Sequence, residues 1–153
     1  MKIFGLDPGP TQSAFAIWDT DKNEILDKGK IPNNELLLKV METTISIAIE
    51  MIGSFGMPVG AETFETVFWI GRFYEASPRK DIAVRILRKD IKMNLCNTTR
   101  AKDSNIRQAL IDRFGAPGTK KSPGIMYGLH KDMIQAFAVA VTHYDQLIEK
   151  EKK

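Results

Sequence analysis

The sequence predicts an α/β fold with a mixed five-stranded sheet, an antiparallel meander plus parallel strands, flanked by helices. The meander is predicted by three apolar runs near the start of the chain, at residues 2–6, 13–18 and 24–31, which short polar turns separate. The parallel strands are predicted by the alternation of helical and strand patterns in the remaining residues. A length of 153 residues with 43% hydrophobic residues suits one core, so we expect a single domain over residues 1–153.

The segments after the meander are assigned from their periodicity and turn residues. Residues 45–52 alternate β-branched side chains with small or polar ones, which favours a fourth strand. A continuation of the preceding helix through this segment stays open, although Thr43 and Thr44 are poor helix formers. A helical stretch is assigned to residues 81–88 and the fifth strand to residues 90–97. The remaining helices are assigned to residues 35–42, 61–76, 103–114 and 131–149.

Charge and cysteine content limit the partners and the compartment. The net charge of +3 and the pI of about 9.0 are compatible with an anionic partner without requiring one. The one cysteine, Cys96, lies in an apolar run and has no second cysteine to pair with, which predicts a buried thiol and a reducing compartment. The chain opens without a signal-peptide pattern, and no apolar run approaches the ~18 residues that a membrane helix needs. We therefore expect a cytoplasmic protein.

Three carboxylates near the ends of predicted elements are the candidate catalytic residues. Asp7 ends the first strand before a Pro-Gly turn, although Asp-Pro-Gly is also an ordinary turn sequence. Glu50 lies in the apolar fourth strand, where a charge is costly unless it is paired or binds a metal ion. If that strand pairs beside the first, Asp7 and Glu50 become neighbours. Asp132 begins the last helix, where the helix dipole alone would also favour an acid.

Converging carboxylates predict a divalent metal site. They would repel one another, and Mg²⁺ relieves this repulsion because it prefers oxygen ligands. Two such ions can activate a water molecule and stabilise the leaving oxygen of a phosphodiester. The sequence has no Ser-His-Asp arrangement, CxxC pair or Walker loop that indicates another chemistry. Metal-dependent phosphodiester hydrolysis without a covalent intermediate is therefore predicted.

Four segments in order along the chain resemble the RuvC-type Holliday junction resolvases. Residues 3–9, IFGLDPG, resemble the first strand of that family, where an Asp is a metal ligand. Residues 47–50, IAIE, are similar to the motif that ends on a catalytic Glu. Residues 132–140, DMIQAFAVA, resemble the final helix, which begins with two metal-binding acids three residues apart. Residues 101–107 are similar to a stretch that carries a basic residue near the DNA.

The resemblance implies a fold, a reaction and partners. It implies an RNase H-like fold and an endonuclease that nicks Holliday junctions or other branched DNA, using Mg²⁺ held by Asp7, Glu50 and Asp132, with Mn²⁺ as an expected substitute. It also implies a homodimer that packs through the aromatic helix at 61–76. The loop at 54–60 and the run at 69–73 resemble the phage branch of the family more than the bacterial one. A phage protein would act in the host cytoplasm, in recombination or in the processing of replication intermediates.

One departure from the family pattern bears on the metal site. Gln135 stands where the family has a carboxylate, and a neutral amide is a much weaker Mg²⁺ ligand, which puts the second metal site in question. We hypothesise that Gln135 replaces a glutamate at this catalytic position, and we expect Gln135→Glu to raise Mg²⁺-dependent cleavage sharply. Glu62 and Glu65 compete with Glu50 as the second-motif acid, although they lie at a helix start. His130 is a candidate extra ligand or proton carrier.

Basic residues flank the candidate acids in the chain. In a resolvase-like fold Lys102, Arg107, Lys120 and Lys121 would hold DNA phosphates and make the affinity salt-dependent. Phe55, in the loop after the fourth strand, is expected to stack on an unpaired base at the junction centre. The alternative for the basic residues is a solvated loop, and for Phe55 a side chain that covers the core.

Three alternative functions stay open at this stage. The chain could be a junction-binding protein with little or no cleavage, which Gln135 makes credible. It could be a nuclease of the same fold that prefers forks or flaps. It could also be an actin-like or sugar-kinase-like ATP-binding fragment, because residues 6–13 resemble a strand and phosphate loop. Those ATPases need two lobes, and 153 residues cannot supply both.

Overall fold

The computed structural model describes residues 1–54 and 56–153 of the chain. Over these residues the chain forms five strands and five helices. They are β1 (Lys2–Asp7), β2 (Gln12–Asp19), β3 (Glu24–Pro32), α1 (Asn33–Glu42), β4 (Ser46–Met51), α2 (Ala61–Ala76), β5 (Val84–Leu87), α3 (Arg88–Cys96), α4 (Asp103–Phe114) and α5 (Lys131–Glu151).

The five strands form one mixed sheet with the order β3-β2-β1-β4-β5. β1, β2 and β3 pair antiparallel as a meander. β4 then pairs parallel to β1, and β5 pairs parallel to β4. The predicted mixed sheet with its meander is confirmed, and the segment before Gly53 is a strand rather than an extension of α1.

The predicted position of the fifth strand is wrong. Residues 90–97 belong largely to helix α3, and the strand is Val84–Leu87, inside the segment that was assigned as helical. The apolar residues at 91, 93 and 95 imitate the alternation of a strand. Met93 is 46% exposed, however, whereas Ile91 is fully buried and Leu95 packs against the core four residues later. The face that is buried therefore has helical spacing, and tertiary packing decides the assignment.

The alternation of side chains along β1 and β4 separates two apolar cores. Phe4 and Leu6 contact the core under α1 and α2, together with Ile47 and Ile49 of β4. The alternate positions on β1 and β4 face α5. Ile3 and Ala48 lie there in the second core, with Phe137 and other α5 residues. Because successive side chains of a strand point to opposite faces, the residues that follow Leu6 and Ile49 point toward α5. This places Asp7 and Glu50 on the α5 face.

Helix α5 lies unusually close to the middle of the sheet. A Cβ atom built on Gly5 would lie 2.1 Å from the carbonyl oxygen of Ala136 and 3.1 Å from the Cβ of Ala140. Only a residue without a side chain allows this approach. α5 is the longest helix, yet no helix within the described parts of the chain combines the length and apolar character that crossing a membrane requires.

Candidate active site

Three carboxylates from distant parts of the chain meet on the α5 face at the end of β1. β1 and β4 are paired in parallel with Leu6 opposite Ile49, so Asp7 and Glu50 follow as neighbours on adjacent strands. Asp132 reaches the same place from the first turn of α5. The charges of Glu50 and Asp132 both act on Asp7, and the Asp7 and Glu50 carboxyl groups lie close enough to share a hydrogen bond when one is protonated.

The electrostatics of Asp7 reflect this crowding. Burial raises the pKa of Asp7, and the negative charges of Glu50 and Asp132 raise it further, to about 8 from an ordinary value of 3.8. The positive charge of Arg88 opposes the shift without cancelling it. The Asp7 carboxyl group is therefore buried among other acids whose charges the nearby cations offset only in part.

Two cations hold the outer carboxylates. The Lys30 Nζ on β3 lies 2.6 Å from Oδ2 of Asp132, and this contact raises the pKa of Lys30. On the opposite side, Nη1 of Arg88 lies 3.0 Å from Oε1 of Glu50. The second nitrogen of the guanidinium, Nη2, donates to the Asp103 carboxylate at the start of α4. Asp7 lies between these two pairs.

Gln135 is buried one turn after Asp132, at the Arg88 side of the cluster. Its Oε1 lies 3.4 Å from Nη1 of Arg88, which therefore faces both Glu50 and Gln135. The structure thus places all four candidate catalytic residues, Asp7, Glu50, Asp132 and Gln135, in one cluster.

The donor set fits a hard divalent cation. All the acidic groups of the cluster are oxygen donors, the ligands that Mg²⁺ prefers. Oε2 of Glu50 is buried and has no hydrogen-bond partner within the described residues, and a buried carboxylate oxygen in that state calls for a cation. The carboxylates do not converge on one point as they stand, since no three His, Cys, Asp or Glu side chains of residues 1–54 and 56–153 form a ready metal cage. Asp132 and Glu50 are instead paired with Lys30 and Arg88.

The turn after Asp7 is held by a buried polar network. The Gly9 amide donates to Oγ of Ser13 at 3.0 Å, and that hydroxyl donates to Oδ1 of Asn33 at 2.5 Å. The Asn33 amide nitrogen donates back to the Gly9 carbonyl at 2.9 Å. A Cβ on Gly9 would meet the Gln12 carbonyl at 2.4 Å, so this turn also needs glycine. The network fixes the chain directly after Asp7.

The predicted DNA-binding residues divide into two groups. Arg107 lines a cleft of about 800 Å³ together with Asp132, Gln135 and Lys30. Lys102, Lys120 and Lys121 are exposed and are not among the described residues that line this cleft. Lys120 and Lys121 occupy the tip of a small hairpin closed by hydrogen bonds between Thr119 and Ser122.

The remaining predicted site residues make no hydrogen bond or ion pair with the acidic cluster within the described residues. His130 is exposed and lines the same cleft, immediately before α5. Glu62 and Glu65 are exposed on the first turns of α2, whereas Glu50 is the acid beside Asp7. Phe55, the predicted base-stacking residue, lies outside the described residues. A second cleft of about 370 Å³, lined by the turn after Asp7, meets the larger one at Lys30 and Asp132.

Two site residues could not be found by reasoning from the sequence. Arg88 was assigned to the end of a helix, so its position directly after β5, beside Glu50, was hidden by the wrong strand assignment. Lys30 lies on β3, which the sequence identifies, but its side chain meets Asp132 across 102 residues of chain. A correct placement of β5 next to β4 would have signalled Arg88, because the ends of neighbouring parallel strands share one edge of the sheet.

Solved structures share this fold over nearly the whole chain. The Thermus thermophilus RuvC structure matches with a TM-score of 0.70 at 15% sequence identity, covering 96% of this chain and 96% of that one. The structure of T. thermophilus RuvC in complex with Holliday junction substrate matches with a TM-score of 0.68 at 16% identity and the same coverage. No protein-family model and no curated protein matches the chain in sequence. The chain therefore has the fold of RuvC, and the predicted RNase H-like fold is confirmed.

Proposed function

We propose that this protein is a divalent-metal-dependent endodeoxyribonuclease that nicks branched DNA, four-way junctions included. The observation that carries the proposal is the meeting of Asp7, Glu50 and Asp132 at the end of β1. The fold is shared with a RuvC whose structure was solved in complex with Holliday junction substrate, which supports the same class of DNA partner for this chain.

The acidic cluster would hold the metal, and the cleft would hold the DNA. Asp7, Glu50 and Asp132 would bind Mg²⁺, which when bound activates a water molecule and neutralises charge at the phosphodiester; Mn²⁺ is expected to substitute. Arg107 lines the cleft next to these acids and would position a phosphate. Lys102, Lys120 and Lys121 would extend the phosphate contacts along the DNA backbone, and Phe55 would stack on an unpaired base.

We further propose that the active form is a homodimer joined through α1 and α2. Phe64 and Phe68 on α2 are 66% and 57% exposed, and Leu38 and Met41 on α1 are exposed as well. Apolar side chains of this size on adjoining helices are typical of a protein–protein interface. A twofold-symmetric dimer would present two active sites to a four-way junction, so that two strands could be nicked symmetrically.

The test is cleavage of a labelled four-way junction and a matched linear duplex, with Mg²⁺ and with EDTA. We expect nicking of the junction with Mg²⁺ only, and a loss on the order of 10³-fold in Asp7→Asn, because that change replaces a carboxyl ligand of the metal with an amide that cannot ionise. Glu62→Gln, which neutralises an exposed acid on α2, should leave cleavage unchanged. Cleavage that persists in Asp7→Asn, or that needs no divalent ion, would contradict the proposal.

A second candidate is a junction-binding protein with little or no cleavage. It is favoured by Gln135, which stands where the RuvC-type pattern has a carboxylate, and by the two cations that already neutralise Glu50 and Asp132. Tight junction binding without nicking in either Mg²⁺ or Mn²⁺ would support this candidate over the nuclease. Phage origin and a cytoplasmic location stay predictions from the sequence.

A further inference from the structure

Arg88 is built into the acidic cluster rather than placed on its rim. It is the first residue of α3 and directly follows β5, whose residues Ile86 and Leu87 pair with Glu50 and Met51. Its side chain is 28% exposed, and its guanidinium contacts residues on three other elements. These are Glu50 on β4, Asp103 on α4 and Gln135 on α5.

The other cation of the cluster is held much less firmly. Lys30 has one carboxylate partner, Asp132, and its side chain is 48% exposed. A flexible ammonium group with one exposed partner can turn into solvent at little cost. The guanidinium of Arg88 is planar and permanently charged. If the guanidinium moved into solvent, the buried Glu50 would lose its hydrogen-bond donor.

The two carboxylate oxygens of Glu50 have different surroundings. Oε1 accepts a hydrogen bond from Arg88, whereas the buried Oε2 has no partner within the described residues. The first oxygen is therefore already neutralised by a cation of the protein. The second has no cation of the described residues beside it and is available to a metal ion that displaces the proton of the Asp7–Glu50 pair.

We propose that the Arg88 guanidinium is a built-in cation that occupies the Glu50–Gln135 half of the cluster. The whole cluster then binds one divalent ion instead of two. This rests on the metal site of the proposed function. Asp7, Asp132 and Glu50 would hold the single ion, with Asp132 released from the exposed Lys30. A second divalent ion beside Gln135 would have to approach a fixed positive charge, which Coulomb repulsion disfavours strongly at a half-buried site.

The same arrangement explains the amide at position 135. Gln135 offers Oε1 to the guanidinium at 3.4 Å without adding a negative charge next to Glu50. A glutamate there would be paired by Arg88 before it could bind a metal ion. Gln135 is then the native partner of Arg88, and Gln135→Glu alone does not create a second metal site. This differs from the hypothesis drawn from the sequence, in which Gln135→Glu alone restores the missing ligand.

The experiment counts bound Mn²⁺ by electron paramagnetic resonance, without DNA, in four folded proteins. These are the wild type, Gln135→Glu, Arg88→Met with Gln135→Glu, and Arg88→Lys with Gln135→Glu. Met keeps the apolar stem of Arg88 and removes the charge, whereas Lys keeps the charge and is the matched control. Arg88→Gln with Gln135→Glu replaces the Met double variant if that protein does not fold, as judged by circular dichroism.

We expect one tightly bound ion in the wild type, in Gln135→Glu and in the Lys control. The Met double variant should gain a second ion, bound at least about 10-fold more tightly than any second ion of the wild type. The inference is overturned if the wild type or Gln135→Glu binds two ions of similar affinity. It is equally overturned if removal of the charge at position 88 adds no ion.

These outcomes separate the inference from the nuclease proposal. The ion count is read without substrate, so a protein that binds one ion and cuts nothing removes the nuclease function and leaves the role of Arg88 standing. A protein that cleaves junctions but already holds two ions overturns the role of Arg88 and leaves the nuclease function standing. A merely structural role of Arg88 would change stability and would leave the ion count of the folded variants unchanged.

Discussion

The two faces of the sheet are packed in different ways. The face under α5 is closed, and residues 134–143 of that helix are all buried, with Gly5 and two alanines allowing backbone contact. The face under α1 and α2 is covered, but α2 turns Phe64 and Phe68 outward into solvent. Tight packing on the first face holds the acidic cluster in place. The second face leaves apolar side chains exposed, and it is the face on which we propose the dimer contact.

The largest effect should come from filling the contact that closes the α5 face. Gly5→Ala places a methyl group 2.1 Å from the backbone oxygen of Ala136, so α5 must move away from β1. We expect the free energy of unfolding in urea to fall by about 3 kcal/mol or more, since overpacking against backbone cannot be relieved by a rotamer change. Mn²⁺ affinity should fall as well, because α5 carries Asp132. Unchanged stability would show that the two elements are not in such close contact.

The next effect tests whether the α2 face is a dimer interface. Phe68→Asp places a charge among exposed apolar side chains and should weaken self-association by on the order of 30-fold or more, as expected when a central aromatic residue is lost. Sedimentation equilibrium measures the dissociation constant. Met93→Asp, which alters an exposed apolar residue on α3, is the matched control and should not change it. A wild type that is monomeric at all concentrations tested would contradict the proposed dimer.

The closed face was also the easier one to predict from the sequence. The turn after Asp7, the alternation in 45–52 and the start of α5 at 131 were each readable from local pattern, and these segments carry three of the acids. The sequence placed Glu50 beside Asp7 only on the condition that β4 pairs with β1, which the register satisfies. Local pattern therefore identified the acids of the cluster, and the structure supplied the strand pairing that joins two of them.

The cations of the cluster could not be predicted because their partners are distant in the chain. The contact between Lys30 and Asp132, and the one between Arg88 and Gln135, exist only after the sheet and α5 are assembled. The misassigned fifth strand arose because an alternating apolar pattern of six residues fits a helix as well as a strand. Asn33, at the start of α1, makes no side-chain cap of its helix and bonds to the Gly9 turn instead. Tertiary contacts outweighed local preference in each case.

A smaller effect is expected from Asp7→Asn, which should raise the stability of the protein, whereas Gly5→Ala should lower it. The reason is the crowding of negative charge at Asp7. The folded-state pKa of about 8 lies above the ordinary 3.8, so the folded protein binds this proton more tightly than the unfolded chain does. The contribution to stability is present below pH 3.8 and is lost as the pH rises through about 8. In EDTA, Asp7→Asn should therefore melt higher than the wild type at pH 8, by roughly 2–6 °C, and the difference should shrink toward pH 4.

Metal binding supplies the control for the Asp7 prediction. Mg²⁺ at pH 8 should raise the melting temperature of the wild type, because a ligand that binds only the folded state stabilises it. The same Mg²⁺ concentration should have much less effect on Asp7→Asn. If Asp7→Asn melts lower than the wild type in EDTA at pH 8, Asp7 is stabilised by contacts that outweigh the crowding.

The smallest effect is expected from Gly71→Ala, the same substitution as Gly5→Ala but on the face of the sheet covered by α1 and α2. Gly71 lies inside α2, and a Cβ built there meets no atom within 4 Å. In the Phe68→Asp background, where self-association is weakened, Gly71→Ala should raise the free energy of unfolding by about 0.5–1 kcal/mol, because alanine favours the helix over glycine. In the otherwise wild-type protein the added methyl group lies on the proposed interface and should weaken the dimer instead. Equal stabilisation in both backgrounds, with an unchanged dissociation constant, would remove Gly71 from the interface and confine the contact to the exposed phenylalanines.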